Sequence, residues 1–267
     1  MDYLRIIIWV TLLLVTLCFP SCRENSQKLV LQTACGGTIE VESGQITKQM
    51  DIVFHHPEVL DSGRYSCKLK MENNKVVVHK ADNFELLFVE MFDNGYFVGI
   101  NLGAWDGWVR YYPYHTNLTD EDSMIVAQEG CCGIIPDPDD RHKGYIITNG
   151  GEYGNGNGKV YGLTLENLES KWQWHLIGSI EGNPTAYHYL QDKKQLLIAT
   201  TKAIISLSEE NDQIEVIANL DYLRMEPTSI VLFDNKVWCG LSAGFLTYDL
   251  STHEETWYCI DWDTVSN

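Results

Sequence analysis

The chain has 267 residues and carries 37 Asp and Glu against 19 Lys and Arg, which gives a formal net charge of −18 at pH 7. Such an acidic surface repels phosphate backbones, so the composition argues against nucleic-acid binding and against a polybasic grip on anionic lipid. With 45% hydrophobic residues, the chain is long enough to bury one sizeable core.

The N-terminal 22 residues have the pattern of an export signal. A basic residue precedes the apolar stretch 6–17, which is shorter than the about 20 residues of a membrane-spanning helix and fits the apolar region of a signal peptide. Pro20 ends any helix that forms there. The polar residues after Cys22 resemble the tether of a bacterial lipoprotein, although Phe19 and Pro20 depart from the usual attachment motif.

These features predict a signal peptide over residues 1–21, a lipid on the sulfur of Cys22 and a tether over residues 22–35. Ordinary cleavage without a lipid and an uncleaved anchor are the alternatives. The signal contains one acid and one base, so the mature chain keeps its net charge of −18. We therefore expect a protein of the cell envelope that is held on the outer side of a membrane by its lipid alone, or a secreted protein.

Downstream, the sequence predicts short strands separated by turns and no amphipathic helix. A repeat is clearest in the second half, where Pro184 and Pro227 stand near the start of two similar segments. In the later segment, turn signals at residues 234–235 and 242–244 separate three predicted strands, and a fourth strand follows. Each segment thus holds four strands with Gly, Asn and Asp at the hairpin turns.

Four strands per period of about 40 to 50 residues indicate a β-propeller. We predict an all-β domain over residues 36–267 with five four-stranded antiparallel blades. The expected blades are residues 36–83, 84–129, 130–182, 183–225 and 226–267. The first of them carries no repeat landmark in its loops, so a four-bladed ring with a small N-terminal β unit is the competing interpretation.

The segment 236–249 resembles the hairpin between the inner and middle strands of bacterial β-propeller blades. In that hairpin one strand ends near a glycine and the next carries an aromatic residue before an aspartate, as Gly240, Tyr248 and Asp249 do. The resemblance extends loosely over residues 84–267 and implies the fold alone. The Gly-His and Trp-Asp pairs of WD40 repeats are missing from their positions.

Several local motifs lack the context that their chemistry requires. Residues 240–244 match G-x-S-x-G, but a strand rather than a helix is predicted to follow. The glycine-rich residues 149–159 fail the Walker pattern, so we expect a long hairpin loop. The acidic residues 136–140 and 261–263 and the histidines 55–56 lack the ligand spacing of calcium or zinc sites. We expect no metal and no cofactor.

Two of the eight cysteines lie in the signal region. The even number of the others is compatible with disulfides in an oxidising compartment, and equally with small buried apolar side chains. These six residues are Cys35, Cys67, Cys131, Cys132, Cys239 and Cys259.

A cluster of aromatic residues gives the only indication of a ligand. Trp105, Asp106 and Trp108 fall in a turn between predicted strands, and Tyr112 follows them closely. Exposed aromatic rings can stack on a sugar while a carboxylate accepts its hydroxyl hydrogens, and sites of this kind are mostly apolar with a few polar anchors. We predict these four residues as ligand contacts. Packing of the same rings between blades is the alternative.

No coherent nucleophile set, acid–base pair or metal motif is present, whereas a ring of blades offers a broad loop face. The sequence therefore favours a binding or scaffolding module, rather than an enzyme, that presents this face to a protein or carbohydrate at the cell surface. A glycan-active enzyme with carboxylates from several blades in a central channel is one alternative. A toxin-neutralising surface lipoprotein is the other.

Overall fold

The computed structural model describes residues 28–33, 38–44, 66–73, 75–81, 87–102, 107–114, 123–150, 156–168, 171–219, 227–241 and 244–259. Within these ranges the chain forms twenty β-strands and a single turn of 3-10 helix at Gln191–Lys193. In the part of the chain so described, no helix has the length and apolar composition needed to cross a membrane. The predicted signal peptide, the lipid-attachment residue Cys22 and the ligand candidates Trp105 and Asp106 lie outside the described residues.

Consecutive groups of four strands form the blades, numbered 1 to 5 along the chain. Blade 1 contains β1 (Lys28–Thr33), β2 (Thr38–Gly44), β3 (Ser66–Glu72) and β4 (Lys75–Ala81). Blade 2 contains β5 (Leu87–Phe92), β6 (Gly95–Asn101), β7 (Gly107–Pro113) and β8 (Met124–Ala127). Blade 3 contains β9 (Cys131–Pro136), β10 (Lys143–Thr148), β11 (Gly158–Thr164) and β12 (Gln173–Ile180).

Blades 4 and 5 come next along the chain. Blade 4 contains β13 (Pro184–Leu190), β14 (Gln195–Thr200), β15 (Ala203–Ser208) and β16 (Ile214–Asn219). Blade 5 contains β17 (Ser229–Phe233), β18 (Lys236–Leu241), β19 (Gly244–Asp249) and β20 (Glu255–Cys259). In blades 2 to 5 the strands follow one another as antiparallel meanders.

Blade 1 differs from this pattern in one pairing. Its strand order is β3-β4-β1-β2, with β1 parallel to β4, because the N-terminal hairpin is added to the outer side of the β3–β4 hairpin. Strand β2 also pairs with β20, through Ser43 opposite Tyr258 and Gly44 opposite Trp257. Blades 1 and 5 are thereby joined at their outer edges into one eight-stranded sheet.

The predicted tether over residues 22–35 is wrong for its later part, because β1 occupies Lys28–Thr33. The consecutive residues Leu29, Val30 and Leu31 give this segment apolar side chains that suit a sheet better than a solvated linker. Each of the four ranges predicted for the later blades contains the four strands of one blade.

Apolar side chains between the sheets hold successive blades together. One cluster lies between blades 2 and 3, a second between blades 3 and 4, a third between blades 4 and 5, and a fourth between blades 5 and 1. The inner strands pack side by side in the order β5, β9, β13, β17, β3. In a β-propeller, the sheets pack face to face in chain order, and one edge strand of each sheet lies near the central axis. The predicted fold of five four-stranded blades is confirmed.

Four of the cysteines are free thiols in the structure: Cys67, Cys131, Cys132 and Cys239. Burial raises the pKa of the Cys131 and Cys239 thiols to about 12. These side chains therefore act as small, neutral apolar groups in the core. The side chains of the other predicted disulfide candidates, Cys35 and Cys259, lie outside the described residues.

Candidate functional site

An open groove lies on the outer strands of blade 2. Its volume is about 300 Å³, and it is lined by Gly107, Trp108, Arg110, Ile125 and Gln128. Strands β7 and β8 hold four of these residues in place, with Arg110 directly opposite Ile125 in the antiparallel register, and Gln128 directly follows β8. The groove therefore rests on two paired strands and does not depend on a loop alone for its shape.

The alternation of β7 explains why Trp108 and Arg110 reach this groove. The intervening residues Val109 and Tyr111 are buried in the cluster between blades 2 and 3. Successive side chains of a strand point to opposite faces, so Trp108 and Arg110 must lie on the face turned away from blade 3. The carbon at the centre of the Arg110 guanidinium lies 4.8 Å from the centroid of the Trp108 ring.

The same face of blade 2 exposes a row of apolar side chains. Leu87, Val89 and Met91 of β5 and Ile125 of β8 are each about half exposed. We call this surface, which carries these four residues and Trp108, the open face of blade 2. Among the described residues, none of the apolar clusters between blades includes these four side chains. An apolar sheet face that stays in contact with water is a feature of binding surfaces.

The structure separates the four residues predicted as ligand contacts. Trp108 is partly buried and lines the groove. Tyr112 is only 6% exposed and is not among the residues that line it. Trp105 and Asp106 lie outside the described residues, and directly after them Gly107 opens β7.

Sequence reasoning missed Arg110, Ile125 and Gln128. The alternation of the predicted strand already placed Trp108 and Arg110 on one side of the sheet, and that signal was sufficient to find the arginine. Ile125 belongs to a different strand, and its approach depends on the pairing of β7 with β8. A bulge between Val109 and Arg110 shifts that register, and no local motif predicts such a shift.

The glycine-rich stretch joins two strands of blade 3, as predicted. Strand β10 ends at Thr148 and pairs with β11, which begins at Gly158. Next to this hairpin, Glu129 accepts a hydrogen bond of 2.7 Å from the Thr148 hydroxyl and contacts the Lys159 ammonium group. The hydrogen bond to Glu129 raises the pKa of Lys159. These contacts connect the loop before β9 to the hairpin and support a structural role for the loop and for the hairpin.

The G-x-S-x-G match also lies in a hairpin. Residue Leu241 ends β18, and the strand β19 begins at Gly244. A nucleophile elbow requires a helix at that point, so the predicted hairpin is confirmed.

The acidic segment 136–140 forms a turn around one of its own side chains. Asp137 is 3% exposed, and its Oδ1 accepts hydrogen bonds from the backbone N–H groups of Asp139, at 2.8 Å, and Asp140, at 3.3 Å. Burial raises the pKa of Asp137, and the neighbouring carboxyl group of Glu209 raises it further. Within the described residues, no group of three or more metal-ligating side chains is found.

The contact between Asp137 and Glu209 bears on the glycan-cleaving alternative. Their carboxyl groups are close enough to share a hydrogen bond, whereas the two carboxyl groups of glycoside hydrolases stand about 5 to 10 Å apart so that a sugar or water fits between them. This pair therefore does not have the geometry that the enzyme hypothesis requires. Tyr189 donates a hydrogen bond to Glu209, which fixes the pair within the junction of blades 3 and 4.

No family model matches the sequence, and no curated protein matches it. Among solved structures, the chain is similar to the extracellular domain of a putative hybrid two-component system from B. thetaiotaomicron, with 12% identity and a TM-score of 0.46 over 91% of this chain and 34% of that one. It is also similar to a putative 6-phosphogluconolactonase from Bacteroides fragilis, with 11% identity and a TM-score of 0.41 over 82% of this chain and 65% of that one.

A third similar structure comes from a nidogen/laminin complex, with 11% identity and a TM-score of 0.38 over 72% of this chain and 91% of that one. The chain spans about a third of that extracellular domain and about two thirds of the lactonase.

Proposed function

We propose that this protein is a carbohydrate-binding module that holds a sugar in the groove beside Trp108 on blade 2. The observation that carries the proposal is a partly buried indole ring in an open groove with two polar side chains, Arg110 and Gln128. Carbohydrates combine apolar C–H faces with hydroxyl groups, so they match an aromatic ring flanked by hydrogen-bonding groups.

The size of the groove favours a sugar over a protein partner. A volume of about 300 Å³ is at the lower end of the range for small-ligand sites. A stable protein interface buries roughly 1,200 Å² or more of total surface, far more than a groove lined by five residues supplies. Protein binding at the same face is a possible result of the binding experiment and would contradict the proposal.

We predict that Trp108→Ala lowers the affinity for the carbohydrate about five- to thirtyfold, because the loss of one stacked ring removes on the order of 1 to 2 kcal/mol. Binding is measured on a glycan array and then by calorimetry with the best ligand. Trp174→Ala provides the matched control, since Trp174 is also a partly buried tryptophan but belongs to β12 of blade 3.

The control variant is expected to keep the affinity of the unmodified protein. Melting temperatures of both variants are compared, so that unfolding is not mistaken for lost binding. An array on which Trp108→Ala binds as well as the unmodified protein contradicts the proposed site. An array without any glycan signal contradicts the proposed function itself.

The proposal includes export, with the binding module held outside the cytoplasm by a lipid on Cys22. The apolar stretch 6–17 and the polar residues after Cys22 support this placement. A thioether-linked diacylglycerol together with an amide-linked chain holds a protein firmly, because each buried CH₂ group contributes about 0.8 kcal/mol.

For the lipid anchor, we predict that Cys22→Ser moves the protein from the membrane fraction to the soluble fraction. The reason is that serine has no thiol to accept the lipid. Cys18→Ser is the control, because it removes a thiol from the apolar part of the signal and leaves the attachment residue intact. Fractions are compared by immunoblot. Unchanged membrane recovery of Cys22→Ser contradicts the anchor.

A further inference from the structure

We propose that Asp137 and Glu209 form a pH-sensitive contact between blades 3 and 4. The two carboxyl groups share a proton when the blades are packed together, and loss of this proton at higher pH weakens the junction. The contact belongs to other blades than the groove of blade 2, so this inference does not rest on the proposed function.

The backbone of each blade positions one of the two side chains. Asp137 directly follows β9 of blade 3 and is 3% exposed, and its Oδ1 accepts the two backbone hydrogen bonds of its turn. Glu209 directly follows β15 of blade 4, and its backbone N–H donates to the carbonyl oxygen of Lys194 at 3.0 Å. Both carboxyl groups are therefore held at the junction by ordered turns.

Contacts across the junction bring the two turns together. The side-chain amide of Gln191 donates to Oδ1 of Asp139 at 2.8 Å. The Tyr189 hydroxyl donates to Oε2 of Glu209, whose carboxyl group is close enough to that of Asp137 to share a hydrogen bond. A hydrogen bond between two carboxyl groups requires a proton on one of them. The geometry thus fits a pair that holds one proton rather than two carboxylates.

Two tyrosines and a further acid surround the pair. Tyr145 lies on β10, Tyr189 on β13 and Asp212 in the turn after β15. Burial raises the pKa of both tyrosine hydroxyls, and the neighbouring carboxyl groups raise it further. The tyrosines therefore remain neutral, while Asp212, which acts on Tyr145, adds a negative charge to the surroundings.

The cations around the pair are exposed to water. The Nζ atom of Lys194 lies 4.0 Å from Oε1 of Glu209, and that of Lys143 lies 3.4 Å from Oδ2 of Asp140 in the turn after β9. The side chains of both lysines are 53% exposed, and Arg141 of the same turn is exposed as well. Water screens charges in such positions, so these cations do not compensate for a second negative charge in the buried contact.

Ionisation of both carboxyl groups is therefore unfavourable in the folded protein. Burial raises the pKa of Asp137 although its backbone hydrogen bonds lower it, and the Glu209 carboxyl raises it further. The folded pKa of Asp137 thus lies above its value in the unfolded chain. Such a group contributes stability that is present below its unfolded pKa and that is lost as the pH rises through its folded pKa. We therefore expect the junction to weaken as the solution becomes less acidic.

The experiment measures melting temperatures of the full mature chain from about pH 4 to about pH 8. Asp137→Asn keeps the oxygen that accepts the backbone hydrogen bonds, but it cannot ionise. We expect it to melt about 3 to 5 °C above the unmodified protein at pH 8, the scale of one suppressed ionisation in a domain of this size. At pH 4 the two proteins should melt within about 1 °C of each other, because the carboxyl group is then largely protonated in both states.

Glu209→Gln tests the contribution of the partner. It should give a smaller increase at pH 8, because Asp137 stays buried but no longer faces a second carboxyl group. The two increases should not add in the double variant, since either amide alone removes the carboxyl pair. Glu210→Gln is the matched control, because it removes the same charge from the exposed neighbouring residue, and it should follow the unmodified protein at every pH.

Three results would overturn the proposal. An increase of equal size at pH 4 and pH 8 would show that ionisation is not its cause. A lower melting temperature of Asp137→Asn at pH 8 would show that the fold requires Asp137 as a carboxylate. The same pH-dependent increase in Glu210→Gln would assign the effect to the net charge of the chain instead of the pair.

Discussion

Trp172→Ala is expected to lower the free energy of unfolding by about 3 to 5 kcal/mol, the range measured for truncation of large buried aromatic side chains. Trp172 is 3% exposed and immediately precedes β12 of blade 3, yet its ring packs into the aromatic core of blade 2. The ring centroids of Phe92 and Phe97 lie 5.0 Å and 5.2 Å away, both in edge-to-face geometry. Its removal therefore leaves a cavity at the junction of two blades.

The loss of a hydrogen bond adds to the destabilisation that we expect for Trp172→Ala. The indole Nε1 of Trp172 donates to Oδ1 of Asn94 at 2.7 Å, and the hydroxyl of Tyr111 donates to the same oxygen at 2.7 Å. Trp172→Phe keeps most of the ring packing and loses the indole donor. We expect it to lower the free energy of unfolding by about 1 kcal/mol, which separates the hydrogen bond from the packing.

Urea denaturation followed by tryptophan fluorescence and circular dichroism measures these differences. Leu168→Ala provides a control, since Leu168 is an exposed apolar residue of blade 3 and its truncation should change stability by less than about 0.5 kcal/mol. A loss below about 1 kcal/mol for Trp172→Ala would show that blades 2 and 3 do not share this core.

The sequence predicts the later blades well because their turns carry strong local signals. Asp234 and Asn235 adopt φ angles of +49° and +58°, as the two central residues of a type I′ hairpin turn do. Asn and Asp tolerate this conformation better than most residues, so the turn between β17 and β18 is readable from the residue types. The free energy that favours this turn is local, and no tertiary contact is needed to predict it.

Other parts of the fold depend on contacts between distant segments. The parallel pairing of β1 with β4 joins Gln32 to Val77 and Thr33 to Val78. Such a pairing depends on the assembly of the whole sheet, so local sequence patterns do not predict it.

The candidate site likewise has features that the sequence predicts and features that depend on the folded molecule. Aromatic residues in a propeller serve both as packing and as ligand contacts, and residue type alone does not distinguish them. Tyr112 is buried, whereas Trp108 borders the groove, although the two residues lie on one strand and share a face. The difference arises from the surroundings of each side chain in the folded molecule, which the sequence pattern does not specify.

Gly240→Ala is expected to lower the free energy of unfolding by about 3 kcal/mol, at the upper end of the usual range for overpacking. A Cβ atom on Gly240 would lie 2.1 Å from the carbonyl oxygen of Cys67 and 2.4 Å from Oγ of Ser229. The first of these atoms belongs to the backbone of β3 in blade 1, so it cannot turn away as a flexible side chain does. The methyl group therefore has to push blade 1 from blade 5.

This displacement breaks hydrogen bonds that join the two blades. Thr228 Oγ1 donates to the Cys67 carbonyl oxygen at 2.5 Å, and the backbone N–H of Leu69 donates to Oγ of Ser229 at 2.7 Å. Leu69 is buried in the cluster between blades 5 and 1, so its N–H has no access to water as a replacement partner. An unsatisfied buried donor costs about 1 to 3 kcal/mol, which is why the expected loss lies at the upper end of the range for overpacking.

Gly178→Ala is the matched control, because it adds the same methyl group to the middle of another strand. There the new Cβ would meet only the terminal Cδ1 of Ile214, at 2.8 Å, and that side chain can rotate away. We expect a loss below about 1 kcal/mol for this variant. Hydrogen exchange at the Leu69 amide gives a second readout, since Gly240→Ala should expose it and Gly178→Ala should not. Equal stability of the two variants, with Leu69 still protected in both, would contradict the close contact between blades 5 and 1 on which the propeller depends.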